Sequence, residues 1–187
     1  MVVAVQVVYF DYTCPYSRRF SELLDGVGAT GARWRPFALA EQNRDDEGPP
    51  VWERPDALTR PALLALALHE SVAPSGDGDR FRREVFAAFG ERRVTPDELR
   101  AMAQSAGGQI DEPSLREGLA RVAAAHQAAR AAGVFGTPTV GTAEEQLGYV
   151  KLTGVPAEPG ARERLLQTAL TVISDIPELA EIKRPTA

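Results

Sequence analysis

The spacing of apolar and polar residues divides the start of the chain into a strand, a helix, a second strand and a loop. Residues 2–10 form an apolar run rich in β-branched side chains, which is typical of a central strand covered on both faces. Apolar residues at helical spacing follow over residues 14–24, and a second strand-like run covers residues 33–39. Residues 39–55 are predicted to be a loop. The first strand, the helix and the second strand should form a parallel β-α-β unit.

The middle of the chain is predicted to be helical, and strands return near its end. Thr-Pro-Asp-Glu at residues 95–98 has the form of a capping box with proline at the first helical position, and a further helix covers residues 113–132. Short strand-like runs at residues 137–141 and 147–152 indicate an antiparallel hairpin, and a final helix covers residues 160–174. The resulting order, β-α-β, helices, β-β-α, indicates an α/β fold.

Composition and charge exclude several classes of protein. The chain has 187 residues, 44% of them hydrophobic, which is enough for one packed domain with an inserted subdomain. The net charge is −5 without a basic stripe, and no segment reaches the roughly 20 apolar residues of a membrane span. The apolar start lacks the basic region of a signal peptide, and a single cysteine allows no disulfide within the chain. We therefore expect a cytoplasmic protein that binds neither nucleic acid nor a membrane.

Cys14, the only cysteine, lies between the first strand and the first helix, with Pro15 directly after it. At such a position, backbone N–H groups without intrahelical partners and the positive end of the helix dipole favour thiolate over thiol. A lone cysteine is commonly a small buried apolar residue, but this context favours a reactive thiol. Tyr12 and Tyr16 flank it and either line a substrate groove or pack in the core. The arginines at residues 18–19 either add positive potential or lie on a solvated helix face.

Two other patterns have simpler explanations than a binding site. Residues 26–31 match the G-x-G-x-x-G dinucleotide fingerprint, but a helix precedes them and a strand follows, which reverses the order that the fingerprint requires. A helix end and a turn account for these glycines. His69 and His126, the only histidines, lie in helical runs and are expected to be core or surface residues. Their positions and the single cysteine give no metal-ligand pattern.

The order of elements, with Cys-Pro at the start of the first helix, resembles a thioredoxin fold with a helical insertion, the architecture of the DsbA family. Residues 133–140 resemble the segment that carries the cis-proline of that family, opposite the active cysteine. The resemblance implies a cis Thr137–Pro138 bond and a Thr137 backbone that pairs with the substrate like an added strand. The implied organisation is a thioredoxin-like domain over residues 1–40 and 113–176, a helical insertion over 41–112 and a tail over 177–187.

Residues 43–46 and 181–184 resemble segments of actinobacterial DsbA-like proteins that include mycothiol-dependent reductases. The Cys-x-x-Cys motif of the family is here Cys-Pro-Tyr-Ser, with Ser17 in the fourth place. Cys14 can therefore form a mixed disulfide, but a second thiol from outside the chain must resolve it. The resemblance implies a monothiol thiol–disulfide oxidoreductase with no tightly bound cofactor and with mycothiol or glutathione as co-substrate. Ser17 either hydrogen-bonds the Cys14 sulfur or is an ordinary first-turn residue.

A different chemistry fits the same residues. Kappa-class glutathione transferases and hydroxychromene-carboxylate isomerases share this fold and carry a Ser-Pro-Tyr-Ser-like motif, of which residues 15–17 match the last three. Asn43, ahead of Pro49 and Pro50, loosely resembles part of their glutathione site. A non-catalytic binding module is the third alternative. The expected partners are a small thiol and a disulfide or another small molecule; a homodimer and the direction of electron flow stay open. The predicted site comprises Cys14 and Ser17 as catalytic residues and, as substrate-binding residues, Tyr12, Pro15, Tyr16, Asn43, Thr137 and Pro138.

Overall fold

A four-stranded mixed β-sheet is the framework of the protein, whose computed structural model describes residues 4–73, 77–143 and 146–176. The strands are β1 (Val7–Phe10), β2 (Arg33–Pro36), β3 (Thr139–Ala143) and β4 (Gln146–Tyr149), and they lie in the order β2-β1-β3-β4. β1 and β2 are parallel, whereas β3 is antiparallel to both β1 and β4. The predicted parallel β-α-β unit and antiparallel hairpin are therefore confirmed.

The helices begin and end close to the predicted positions. They are α1 (Pro15–Gly26), α2 (Leu39–Gln42), α3 (Pro61–Val72), α4 (Gly78–Glu91), α5 (Pro96–Ser105), α6 (Glu112–Ala131) and α7 (Pro159–Asp175), with 3₁₀ turns at Val51–Glu53 and Ala57–Thr59. Thr95 and Glu98 form the predicted capping box at the start of α5. Gly133 follows the end of α6 with a φ of +84°, a left-handed conformation that glycine adopts without steric cost.

The connections around β2 differ in part from the prediction. The glycine-rich segment after α1 leads into β2, so the predicted order of helix, turn and strand around these glycines is confirmed. β2 ends at Pro36, earlier than predicted, because proline has no N–H for the ladder and Ala38 is already the N-cap of α2. The predicted loop over residues 39–55 contains α2 and the first 3₁₀ turn. Each of these is about one turn long, too short to show a helical period in the sequence.

Helix α3 is surrounded by protein. Its residues Leu63 to Leu68 are each at most 1% exposed. Where α3 meets α6, the backbone of Gly118 lies against the Ala67 carbonyl, so close that a Cβ atom at position 118 would overlap the carbonyl group. Buried residues of the sheet, α1 and α7 belong to the same cluster as those of α3, α4 and α5. The sheet and the helical block, which consists of α3, α4 and α5, therefore share one hydrophobic core.

Some parts of the prediction fall outside the described residues. These are the start of the first strand at residues 1–3 and the tail at residues 177–187, including the DsbA-like segment at residues 181–184. The division of the chain into two domains and a tail stays a prediction. Of the helices described above, none is long and apolar enough to cross a membrane.

Candidate active site

The loop between β1 and α1 is held by the buried carboxylate of Asp11. One carboxylate oxygen accepts hydrogen bonds from the Thr13 backbone N–H at 2.8 Å and from the Thr13 hydroxyl at 2.6 Å. The other accepts from the Leu39 N–H at 2.8 Å, which ties this loop to the start of α2. Burial raises the pKa of Asp11, while these hydrogen bonds act in the opposite direction. The Cys14 N–H donates to the Asp11 carbonyl at 3.1 Å, so Asp11 also fixes the backbone at the cysteine.

Cys14 is the N-cap residue of α1 and is only 5% exposed. Its thiol donates a hydrogen bond to the Thr137 carbonyl oxygen at 3.1 Å. The Thr137–Pro138 peptide bond is cis, as the resemblance implies, so the cysteine lies against the segment that carries the cis-proline. The first turn of α1 contains no acidic side chain that would offset the positive end of the helix dipole. Its position as N-cap places Cys14 at the N-terminal end of α1, where the helix dipole is positive.

Two buried hydroxyl groups belong to residues beside Cys14. Ser17 follows it by one helical turn and is 0% exposed, and Thr137 is 3% exposed. Neither hydroxyl has a hydrogen-bond partner among the described residues. The expected bond from Ser17 to the Cys14 sulfur is absent from this structure, where the thiol is bonded to the Thr137 carbonyl. A buried polar group without a partner costs roughly 1–3 kcal/mol. Each hydroxyl can therefore still donate one hydrogen bond within the buried site.

Tyr16, in the first turn of α1, is half-buried and has two cationic side chains near its ring. The Lys151 Nζ atom lies 4.7 Å from the centroid of the Tyr16 ring, and a hydrogen bond to the Tyr16 side chain raises the pKa of Lys151. The Arg19 guanidinium lies 5.7 Å from the same centroid and donates to the Leu152 carbonyl at 3.1 Å. These contacts join the start of α1 to the segment after β4.

An exposed aromatic pair lies next to the cis-proline segment. Phe135 is 65% exposed and Tyr149 is 41% exposed, with their ring centroids 5.3 Å apart. The Tyr149 ring packs over Gly136, and the N–H of the following residue, Val150, donates to the Pro138 carbonyl at 3.0 Å. Partial burial, and then the nearby Cys14, raise the pKa of the Tyr149 hydroxyl. The pair therefore lies at the mouth of the cysteine site.

Two predicted substrate-binding residues are not part of this arrangement. Tyr12 is 2% exposed, and its hydroxyl is bonded to Nδ1 of His69 at 2.9 Å, so Tyr12 is a core residue and the prediction that it lines a groove is wrong. Asn43 is exposed at the end of α2, and the structure gives no contact between it and Cys14. Its role stays a prediction. Pro15 is exposed at the first position of α1, and Pro138 is buried.

Both histidines are packing residues, as expected. Burial lowers the pKa of His69 to about 4, so its ring is neutral at pH 7; besides its bond to the Tyr12 hydroxyl, the ring hydrogen-bonds to the Trp34 backbone. His126 is buried and stacks on Phe37, with the ring centroids 4.5 Å apart. Within residues 4–73, 77–143 and 146–176, no three His, Cys, Asp or Glu side chains are grouped so that they could hold a metal ion.

A mixed sheet in this order, with a cysteine at the start of the first helix and a cis-proline against it, defines a thioredoxin fold with an inserted helical block. Two solved structures of DsbA from Mycobacterium tuberculosis are similar to it. The reduced form aligns over 91% of this chain and 83% of its own, with 18% identity and a TM-score of 0.51. The oxidised form aligns over 92% and 84%, with 18% identity and a TM-score of 0.51. No protein family and no curated protein matches the chain. The likeness to DsbA confirms the predicted α/β thioredoxin-like fold.

Proposed function

We propose that the chain is a DsbA-like thiol–disulfide oxidoreductase that works through Cys14 alone. The observation that carries the proposal is the position of the sulfur, at the start of α1 and 3.1 Å from the carbonyl oxygen of Thr137, which precedes the cis-proline. The N–H groups of the first helical turn favour the thiolate, which is the form that attacks disulfides. The similarity of the fold to DsbA supports the same proposal.

The proposed reaction consists of two exchanges on a mixed disulfide RS–SR′, in which R′SH is a small thiol. The Cys14 thiolate attacks the R′ sulfur, a Cys14–SR′ bond forms, and RS⁻ leaves and takes up a proton. Because the chain has no second cysteine, a thiolate R′S⁻ from solution attacks the R′ sulfur of the Cys14–SR′ disulfide. This second exchange releases the Cys14 thiolate and R′SSR′. RSSR′ and R′SH are thus converted into RSH and R′SSR′, and the protein is unchanged. Mycothiol or glutathione is the proposed R′SH, and the cytoplasm the proposed location.

Ser17 is the proposed hydrogen-bond donor to the Cys14 thiolate. When the thiol loses its proton, the hydrogen bond to the Thr137 carbonyl is lost. The Ser17 hydroxyl is one turn along the helix and has no other partner among the described residues, so it is free to donate to the anion. Such a charge-assisted bond would stabilise the thiolate both before attack and as the leaving group in the second exchange.

Mass spectrometry and turnover assays on Cys14→Ser and Ser17→Ala test the proposal. The reduced wild-type protein should gain one thiol adduct from glutathione disulfide and lose it in excess glutathione, whereas Cys14→Ser should gain none. Ser17→Ala should form the adduct about tenfold more slowly at pH 7, because a hydrogen bond to a charged group contributes about 1.5 kcal/mol. Thr168→Ala, which removes an exposed hydroxyl from α7, is the matched control. Wild-type protein that forms no adduct with any small disulfide would refute the proposal.

A transferase or isomerase of the kappa-class kind is the second candidate, favoured by the buried, unpartnered hydroxyl of Ser17. In that case the small thiol binds without a covalent bond to the protein, and Ser17 donates to its sulfur. Cys14→Ser would then keep its activity, and the wild type would turn over substrate without a Cys14 adduct. A protein that binds a small thiol and turns over nothing would instead be a binding module.

A further inference from the structure

The cysteine site has two cationic side chains at its mouth whose charges are not offset by a carboxylate. Arg19 and Lys151 both lie over the Tyr16 ring, and neither forms an ion pair with any carboxylate in the described part of the chain. The neighbouring Arg18, by contrast, is paired with Glu22 at 3.3 Å. In a chain with a net charge of −5, this gives the mouth of the site a local charge opposite to that of the whole.

An apolar surface adjoins these charges. Phe135 and Tyr149 are large apolar side chains exposed beside the cis-proline segment, and the Tyr149 hydroxyl is within electrostatic range of Cys14, Tyr16 and Lys151. Exposed aromatic side chains grouped at a reactive centre are typical of a binding surface. The cations and the rings are therefore parts of one surface around the sulfur.

The inner wall of the site is polar and unsatisfied. The hydroxyls of Ser17 and Thr137 are each at least nine-tenths buried and have no hydrogen-bond partner among the described residues. Buried polar groups in folded proteins are normally paired, so two unpaired hydroxyls on residues that adjoin one sulfur distinguish this region from the rest of the core. This observation is independent of the charges at the mouth.

We infer that the site takes a small disulfide or thiol that carries a carboxylate. The carboxylate binds Lys151 and Arg19, the apolar part of the molecule lies on Tyr149 and Phe135, and the sulfur reaches Cys14. Since only 5% of Cys14 is exposed, a narrow aliphatic disulfide reaches the sulfur more easily than a bulky chain does. The inference rests on the proposed function and names its substrate class, which includes glutathione disulfide and excludes mycothiol, a thiol without a carboxylate.

Three aliphatic disulfides of similar length that differ in the charge of their end groups test the inference. They are 3,3′-dithiodipropionate, bis(2-hydroxyethyl) disulfide and cystamine, which are anionic, neutral and cationic at pH 7. The rate of adduct formation on Cys14 is measured for each at low salt and divided by the rate of free 2-mercaptoethanol, a thiol without a charged substituent, with the same disulfide. We expect the normalised rate to be highest for the anion and lowest for the cation, and the difference to shrink at high salt.

Lys151→Gln and Arg19→Gln should each lower the ratio of the anionic to the neutral normalised rate about threefold, as expected for ion pairs at an exposed rim. Arg116→Gln, which removes an equal charge from the exposed start of α6, should change neither rate. Circular dichroism checks that each variant is folded. If Cys14 reacts with all three disulfides and the normalised rates do not depend on end-group charge, the inference fails and the proposed function stands. If it reacts with none, the proposed function itself fails.

Discussion

At the scale of single residues, Asp11 and Thr137 determine where the Cys14 sulfur lies. Asp11 binds the N–H groups of Thr13 and Leu39 through its carboxylate and that of Cys14 through its carbonyl. Thr137 accepts the thiol hydrogen with its backbone carbonyl. Tyr16 and Tyr149, at the mouth of the site, take no part in these hydrogen bonds. Substitutions of these two tyrosines should therefore change what the site binds and leave the position of the Cys14 sulfur unchanged.

The buried histidine His69 should make stability depend on pH. Its pKa is lowered from 6.5 to about 4 in the folded protein, so between these values the unfolded chain takes up a proton that the folded protein excludes. The free energy of unfolding should therefore fall as the pH drops from 6.5 towards 4, by about 3 kcal/mol from this residue. Urea unfolding at pH 7 and at pH 4.5 measures the change.

The control for this prediction is His69→Gln, whose amide can accept from Tyr12 and donate to a backbone carbonyl but does not titrate. The difference in stability between pH 7 and pH 4.5 should be smaller in the variant than in the wild type, whatever the cost of the substitution itself. His126→Gln should reduce it less, because His126 is less completely desolvated. An equal pH dependence in the wild type and His69→Gln would contradict the argument.

The sequence predicts single residues well where one residue determines the local backbone. Cys14 with Pro15 marks the start of a helix, and the segment around Pro138 was recognised by its resemblance to a family. Asp11 could have been suspected from its place two residues before Thr13, where Asx turns form. Tyr12 could not be assigned from the sequence, because its burial depends on His69, which is 57 residues away.

At the scale of elements, the contact between α3 and α6 shows how closely the helices pack. α3 is apolar on all faces, so its position depends on close contact with its neighbours and not on an amphipathic stripe. Gly118 allows the α6 backbone to approach the Ala67 carbonyl. The packing of α3 against α6 therefore depends on one small residue, Gly118.

Gly118→Ala should destabilise the protein by about 1–3 kcal/mol, because the added methyl group meets a backbone carbonyl that cannot move without shifting α3. Gly90→Ala, near the end of α4, is the matched control. There the methyl group meets the end of the flexible Arg18 side chain, and the gain in helix propensity of up to about 1 kcal/mol should leave stability equal or higher. Thermal or urea unfolding distinguishes the two, and equal effects at both positions would show that packing at the crossing is not tight.

Elements with their own local signals were predicted from the sequence. The capping box at Thr95 and the glycine at residue 133 define the start of α5 and the end of α6. Among the strands, β1 and β3 contain β-branched residues, which favour a strand, whereas β2 and β4 contain none. The short helix α2 was missed because it has only 4 residues and its N-cap residue, Ala38, makes no side-chain capping bond.

At the scale of the whole molecule, the shared core joins the sheet to the helical block. Trp34 on β2 packs against Phe10, with ring centroids 5.4 Å apart, and carries the guanidinium of Arg82 from α4 at 4.5 Å. Trp52 in the first 3₁₀ turn packs against His126 on α6, with ring centroids 5.4 Å apart. The two tryptophans therefore report on the two sides of the predicted division between sheet domain and insertion.

Unfolding should be a single cooperative transition in spite of that division. In Trp52→Phe the fluorescence of Trp34 reports on the sheet, and in Trp34→Phe the fluorescence of Trp52 reports on the helical side. For each variant, the urea midpoint from fluorescence should coincide with the midpoint from far-ultraviolet circular dichroism, because neither part can unfold without exposing the core of the other. Separate midpoints within one variant would show that the insertion is an independent folding unit.

The composition of the site as a whole could be predicted only in part. Cys14 and Thr137 are 123 residues apart, and only the family resemblance placed them together before the structure was known. Phe135, Tyr149 and Lys151 have no motif of their own, because side chains from separate segments meet only when β3 and β4 pair. Their contribution follows from topology and not from local sequence.

The hydrogen bond between the Cys14 thiol and the Thr137 carbonyl links two events, the formation of the thiolate and the release of a backbone hydrogen-bond acceptor. While the proton is present, the carbonyl has a donor and the sulfur is a poor nucleophile. Loss of the proton creates the nucleophile and, at the same moment, leaves a backbone acceptor beside it without that donor. An amide N–H of the incoming molecule is the natural replacement. Deprotonation thus produces the nucleophile and frees a backbone acceptor at the same time, so a disulfide that carries an amide N–H near its sulfur should react faster with Cys14 than a disulfide of the same charge without one.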